Sequence, residues 1–89
     1  MTKHYPLLKF YTKESCRLCD IAFEIVARVS KKIKFNIETV DITQSDDLMM
    51  KYGIEIPVIE IDGNLEFKHK VNENDLLRSI KKYSLERVS

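Results

Sequence analysis

At 89 residues, with 44% hydrophobic and 33% charged side chains, the chain has the make-up of one small globular domain spanning residues 1–89, and disordered and fibrous classes are excluded. Fifteen Lys and Arg stand against fourteen Asp and Glu, a balance that points to no nucleic-acid partner and no membrane surface. No apolar run approaches the roughly 20 residues of a membrane span, and residues 1–6 lack a small-residue cleavage site, so a cytoplasmic chain is expected.

Residues 7–11, Leu-Leu-Lys-Phe-Tyr, read as a short buried strand. From Arg17 the period changes to that of a helix, with Cys19, Ala22, Phe23, Val26 and Val29 on one face. Leu18, Ile21 and Ile25 widen that face, which predicts a helix with much of its circumference covered. Ser15 or Cys16 starts it and Lys31-Lys32 ends it. The basic cluster Arg28, Lys31, Lys32 and Lys34 suits the negative end of the helix dipole and is expected to stay solvated.

Residues 34–41 alternate as a second strand and run on into Ile42. Thr43 or Ser45 caps a short helix, with Asp46 and Asp47 in its first turn, Lys51 near its end and Gly53 as its stop. Residues 54–61 are β-branched and predict a third strand. Pro57 within it calls for an edge position, a bulge or a special backbone conformation. Asp62-Gly63-Asn64 is a hairpin signal that returns the chain into a brief strand at residues 65–67. Asn72 opens a last helix in a weakened capping box with Asp75; Leu76, Leu77, Ile80 and Tyr83 form its apolar stripe, and the tail after Ser84 is expected to fray.

The order is β-α-β-α-β-β-α. It predicts an α/β fold: a mixed four-stranded sheet, two strands parallel across the first helix and two antiparallel, with helices on both faces.

Cys16-Arg17-Leu18-Cys19 lies where the first strand meets the first helix, and that position treats the two sulfurs differently. Cys16 falls at the helix start, where free N–H groups and the positive dipole end favour a thiolate, with Lys13 and Arg17 nearby. The thiolate is the nucleophile, so Cys16 is the expected attacking sulfur. Cys19, one turn along, belongs to the apolar face, and is placed to attack a mixed disulfide on Cys16. Two cysteines in an intracellular chain are more often catalytic or metal-binding than a structural staple. For zinc, only His4 and His69 are on hand, in no recognised ligand spacing, so no metal residue is assigned. Asp20 and Glu14 read as solvated charges, and Tyr11 as a packing residue.

These residues, in this order of elements, resemble the small bacterial glutaredoxins of the thioredoxin-fold superfamily. The likeness is carried by residues 10–19, by Val40-Asp41-Ile42, Tyr52-Gly53-Ile54, Ile56-Pro57-Val58 and Asp62-Gly63. It implies the thioredoxin fold and a thiol–disulfide oxidoreductase with Cys16 and Cys19 as its catalytic pair. It also implies a cis bond before Pro57, with the Ile56 backbone left to pair with an extended substrate segment. Lys13 matches the lysine that glutaredoxins carry three residues before the first cysteine, where it holds the thiolate or glutathione's carboxylate. Arg17-Leu18 replaces the usual Pro-Tyr, which places Arg17 at the recognition surface. Val71-Asn72 stands where glutaredoxins have the Gly-Gly that lets glutathione approach, and of that signature Asp75-Leu76 remains. The buried acid that thioredoxins place six residues before the first cysteine is Phe10 here.

The expected activity is reduction of protein or glutathione-mixed disulfides by a monomer, with no tightly bound cofactor. Glutathione is a candidate co-substrate, and glutathione or a reductase the candidate electron donor. The alternatives are a glutaredoxin-type protein binding a metal or an iron–sulfur cluster through Cys16, and a non-catalytic thioredoxin-fold module that binds a partner.

Overall fold

The computed structural model describes residues 4–86, with side chains to residue 84. In chain order the elements are β1 (Leu7–Thr12), α1 (Arg17–Ser30), β2 (Asn36–Asp41), a 3₁₀ turn (Ile42–Gln44), α2 (Asp46–Tyr52), β3 (Val58–Ile61), β4 (Asn64–Lys68) and α3 (Glu73–Glu86). The sheet order is β2-β1-β3-β4. β1 and β2 run parallel, from Leu7 opposite Asn36 to Thr12 opposite Asp41. β3 is antiparallel to both β1 and β4, with an irregularity between Ile59 and Glu60. A parallel pair needs a long crossover, and α1 supplies it.

Strand alternation sorts the β1 side chains between two layers. Phe10 meets the ring of Phe23 on α1 edge-on, with centroids 5.3 Å apart. Its neighbour Tyr11 points the other way and meets Tyr52 of α2 at 4.9 Å. Helices therefore cover both faces of the sheet. On the α1 face the core is built from Leu8, Phe10, Ile59, Ile61, Cys19, Ala22, Val26 and Val29, joined by Leu76 and Ile80 of α3. Each fully buried Leu, Ile or Phe in such a core contributes about 1.5–3 kcal/mol.

Several local expectations are corrected. The third strand begins at Val58 rather than Ile54: Glu55 N–H turns back to Tyr52 O at 2.9 Å, and Ile54 is 93% exposed. Pro57, which has no N–H to offer a ladder, stands just before β3, and β3 is an inner strand. Of the three conditions Pro57 called for, the special backbone conformation is the one met, because the Ile56–Pro57 bond is cis. The second strand starts at Asn36 and forms a sheet edge with its first four residues exposed. Ile42 leaves it for the 3₁₀ turn and is fully buried there; Asp41 caps that turn by accepting from Thr43 N–H and Oγ1. Those two bonds hold the Asp41 carboxyl below its usual range.

Ser45, rather than Thr43, caps α2. Gly53 ends that helix in a right-handed conformation, φ −52° and ψ −37°, so no left-handed stop is formed. A side-chain carbon there would collide with the Met49 carbonyl, and this close approach is what selects glycine. Arg28 and Lys32 are not merely solvated. Both meet Glu73 at the start of α3, at 3.2 and 2.5 Å, and tie the two helices together. α3 runs to Glu86; residues 87–89 of the tail expected to fray, and residues 1–3 at the start, lie outside the described residues. Among the described residues no helix is long and apolar enough to cross a membrane.

Candidate functional site

β1 delivers the chain to a four-residue turn, residues 13–16, at its C-terminal end. Ser15 takes φ 59° there, a left-handed conformation that swings the chain from strand to helix. Cys16 is the N-cap of α1, with extended backbone, and its Sγ accepts the N–H of Cys19 at 3.1 Å. A cysteine sulfur thus occupies the place usually held by a Ser or Asp oxygen. An amide donor and the helix N-terminus both favour negative charge on that sulfur.

Cys16 and Cys19 are joined as a disulfide with Cα atoms 5.2 Å apart. Cys16 is half-buried, whereas Cys19 is only 2% exposed and packs in the stripe with Ala22, Val26 and Val29. Position on the helix therefore separates an accessible sulfur from a shielded one, as the sequence pattern predicted. Lys13 is exposed in the turn, and Arg17 is the exposed first residue of α1 beside Cys16.

Antiparallel pairing sets Val58 opposite Tyr11, so Ile56 and Pro57 lie at the same end of the sheet as the cysteine turn. Pro57 O accepts from His69 N–H at 2.8 Å, while the N–H and C=O of Ile56 make no hydrogen bond among the described residues. The Ile56 side chain itself is buried.

Asp75 lies in the first turn of α3. Its carboxylate receives Arg78 at 3.0 Å and the Asn72 side-chain amide at 2.9 Å, while Asn72 Oδ1 accepts Asp75 N–H at 2.7 Å. The capping box is thus half-formed, because Asp75 reaches the Asn72 side chain instead of its backbone. Asp75 lines a hollow with Phe67, Lys70, Val71 and Asn72.

Three features were not legible in the sequence pattern. Leu18, Ile21 and Phe23, expected to be covered, are 46%, 49% and 40% exposed and give the cysteine helix an apolar surface. A cleft of about 240 Å³ runs along one flank of α1, between Leu18, Ile21 and Ala22 and the β4–α3 loop residues His69, Lys70 and Val71. A second, of about 330 Å³, opens on the opposite flank, lined by Phe10, Thr12, Cys19, Asp20, Phe23, Glu24 and Thr39. Only the crossing of α1 over the sheet brings these residues together, and no periodicity marks them.

On the sheet's other face, Glu60 accepts both Tyr11 Oη at 2.9 Å and Tyr52 Oη at 2.7 Å. Burial first, and then the bond to this carboxylate, pushes Tyr11 up to about 12 and Tyr52 higher still. Among the described residues no three His, Cys, Asp or Glu side chains come together in a group able to hold a metal ion.

The family model for the glutaredoxin-like domain (DUF836) matches residues 7–81. The Dictyostelium discoideum protein named Glutaredoxin-like protein YDR286C homolog is 31% identical over 75 residues, covering 78% of this chain and 69% of that one. A protein of Methanothermobacter thermautotrophicus named Probable Thioredoxin is 26% identical over 76 residues, covering 82% and 89%. Among solved structures, thioredoxin-2 of the malaria parasite superposes with a TM-score of 0.69 at 20% identity, covering 92% of this chain and 86% of that one; this likeness concerns the fold. A thioredoxin fold with its cysteine pair at the head of α1, matched over nearly its whole length, places this chain in the glutaredoxin-like domain family.

Proposed function

We propose that the protein is a dithiol–disulfide oxidoreductase that reduces disulfides in protein segments. The observation that carries this reading is the contrast between Cys16, capping α1 and receiving the Cys19 N–H, and Cys19, buried one turn below it. In the reduced protein the Cys16 thiolate attacks one sulfur of a substrate disulfide, and the other substrate sulfur leaves as a thiolate. Cys19, as its thiolate, then attacks Cys16 Sγ and releases the second substrate thiol. Two electrons pass to the substrate, and the Cys16–Cys19 disulfide remains. A thiol reductant, glutathione or a reductase, restores the dithiol.

The free Ile56 backbone groups suit strand-like pairing with an extended substrate, and the exposed Leu18 and Ile21 suit its apolar side chains. Lys13 and Arg17 beside the nucleophile favour an anionic approach, and they serve the thiolate or a substrate carboxylate equally well. Asp75, engaged by Arg78 and Asn72, reaches substrate only where that pairing is exchanged.

Insulin reduction with dithiothreitol or glutathione as donor tests the activity. Catalysis that vanishes in Cys16→Ser, with a trapped protein–substrate adduct in Cys19→Ser, is the expected result. A folded, reduced wild-type protein that reduces no disulfide substrate would overturn it.

A further inference from the structure

The buried position of Cys19 creates a problem for the second step of the proposed cycle, on which the following rests. Cys19 must lose a proton before it attacks, yet burial favours the neutral thiol. The about 330 Å³ cleft on the β2 side of α1 reaches Cys19, and it is lined by two carboxylates, Asp20 and Glu24. The β1 residues that line the cleft with Cys19 are Phe10 and Thr12, neither of them an acid or a base.

Asp20 and Glu24 are one helical turn apart, so they share a side of α1. Asp20 N–H is bonded to Cys16 O at 3.1 Å, but neither the Asp20 nor the Glu24 carboxylate makes a hydrogen bond or an ion pair among the described residues, and both are therefore available as acceptors. β1 contributes Phe10 and Thr12 to the lining, β2 Thr39, and α1 adds Phe23. Among the described residues no cation borders the cleft: Lys13 and Arg17 are absent from its lining, while His69 and Lys70 line the cleft on the other flank of α1. The cleft is open and mostly apolar in its lining, with the two acids and Thr12 and Thr39 as its polar residues, and a space of this size has room for several waters beside Cys19.

We propose that Asp20 and Glu24 form the proton outlet of Cys19, accepting its proton through water in this cleft as Cys19 attacks the mixed disulfide. The Cys19 S–H bond breaks, its electron pair forms the bond to Cys16 Sγ, and the substrate sulfur leaves with the pair of the broken S–S bond. The proton passes to the carboxylate and from there to solvent or the departing thiolate. The two acids thus act on the second step and not on the first. Substrate lies towards Cys16 while the proton leaves by the flank.

The sign of the effect separates this role from simple electrostatics. A negative charge near Cys19 that took up no proton would disfavour its thiolate, and removing it would speed the second step. An acceptor, once removed, slows it.

The test is stopped-flow reduction of a fluorescent mixed-disulfide peptide, which resolves capture by Cys16 from release by Cys19. It compares wild type, Asp20→Asn, Glu24→Gln and the double variant across pH 5.5–9. The expected result is release slowed about tenfold at neutral pH in the double variant, with its pH midpoint moved upward. Capture, measured in a Cys19→Ser background, stays within about twofold, so a general disturbance of the helix start is distinguished. Asp20→Glu, which keeps the acceptor, retains most of the release rate. Release as fast as wild type or faster in the double variant overturns the proton outlet while leaving the oxidoreductase reading intact. A wild-type protein that neither captures nor releases the peptide overturns both.

Discussion

The backbone N–H of Cys19 points at Cys16 Sγ across 3.1 Å, a contact that does not depend on the Cys19 side chain. Cys19→Ala and Cys19→Pro both remove the second sulfur, but only proline also removes the donor. The first helical turn tolerates proline, because its N–H groups make no intrahelical bond. At neutral pH iodoacetamide should alkylate Cys16 about tenfold more slowly in Cys19→Pro than in Cys19→Ala, through loss of one charge-assisted hydrogen bond to the thiolate. Circular dichroism of both variants checks that α1 is retained.

The Tyr11–Glu60–Tyr52 cluster sets the alkaline limit of stability. Below about pH 10 the phenols are neutral in both folded and unfolded chains. Above it the unfolded chain ionises its tyrosines first, while Tyr11 holds its proton to about 12 and Tyr52 beyond that. Stability is therefore full below pH 10 and lost as pH rises through the folded values. Urea melts from pH 7 to 11.5 should show this loss, and a Tyr11→Phe, Tyr52→Phe double variant should flatten it. Each single change costs about 1–2 kcal/mol at neutral pH by leaving Glu60 short of a donor.

At the acid end the Glu73 contact with Lys32, joined by Arg28, acts in the opposite sense. The Lys32 hydrogen bond holds the Glu73 carboxyl below its usual range. That contribution is present above the unfolded value and lost as pH falls through the folded one. Glu73→Gln should shrink the drop in Tm between pH 6 and pH 3, and added salt should shrink it in the wild type, because the pair is exposed.

Asn72 caps α3 through the Asp75 N–H at 2.7 Å. Asn72→Ala should cost about 1 kcal/mol in urea melts, within the usual range for a lost N-cap. Asn72→Asp, which keeps the acceptor, should cost less.

The helix stripes and the cysteine pair were legible because each depends on spacing along one element. Cys19, Ala22, Val26 and Val29 share a face of α1 wherever α1 sits, and so do Leu76 and Ile80 on α3. Strand limits were less legible, since β-branched residues mark a pleated surface and not the point where pairing stops. Ile54 and Ile42 both carry that signal, yet one is left in solvent and the other is buried in a 3₁₀ turn. At the site, Asp20 and Glu24 look like any exposed helical acids until Thr12 and Thr39 close the cleft around them. That is a tertiary fact, and no window of sequence contains it.

Cys19 also belongs to the hydrophobic core, packed in the α1 stripe between sheet and helix. Folding and reduction of the Cys16–Cys19 disulfide therefore form one thermodynamic cycle: the disulfide stabilises the fold by as much as the fold favours the disulfide over the dithiol, relative to the unfolded chain. Substitutions at Val26, Val29 or Leu76, which line neither flank of the cysteine helix, shift the balance between dithiol and disulfide whenever they stabilise one state more than the other. In this small domain the core is also a tuning element for the chemistry at its edge.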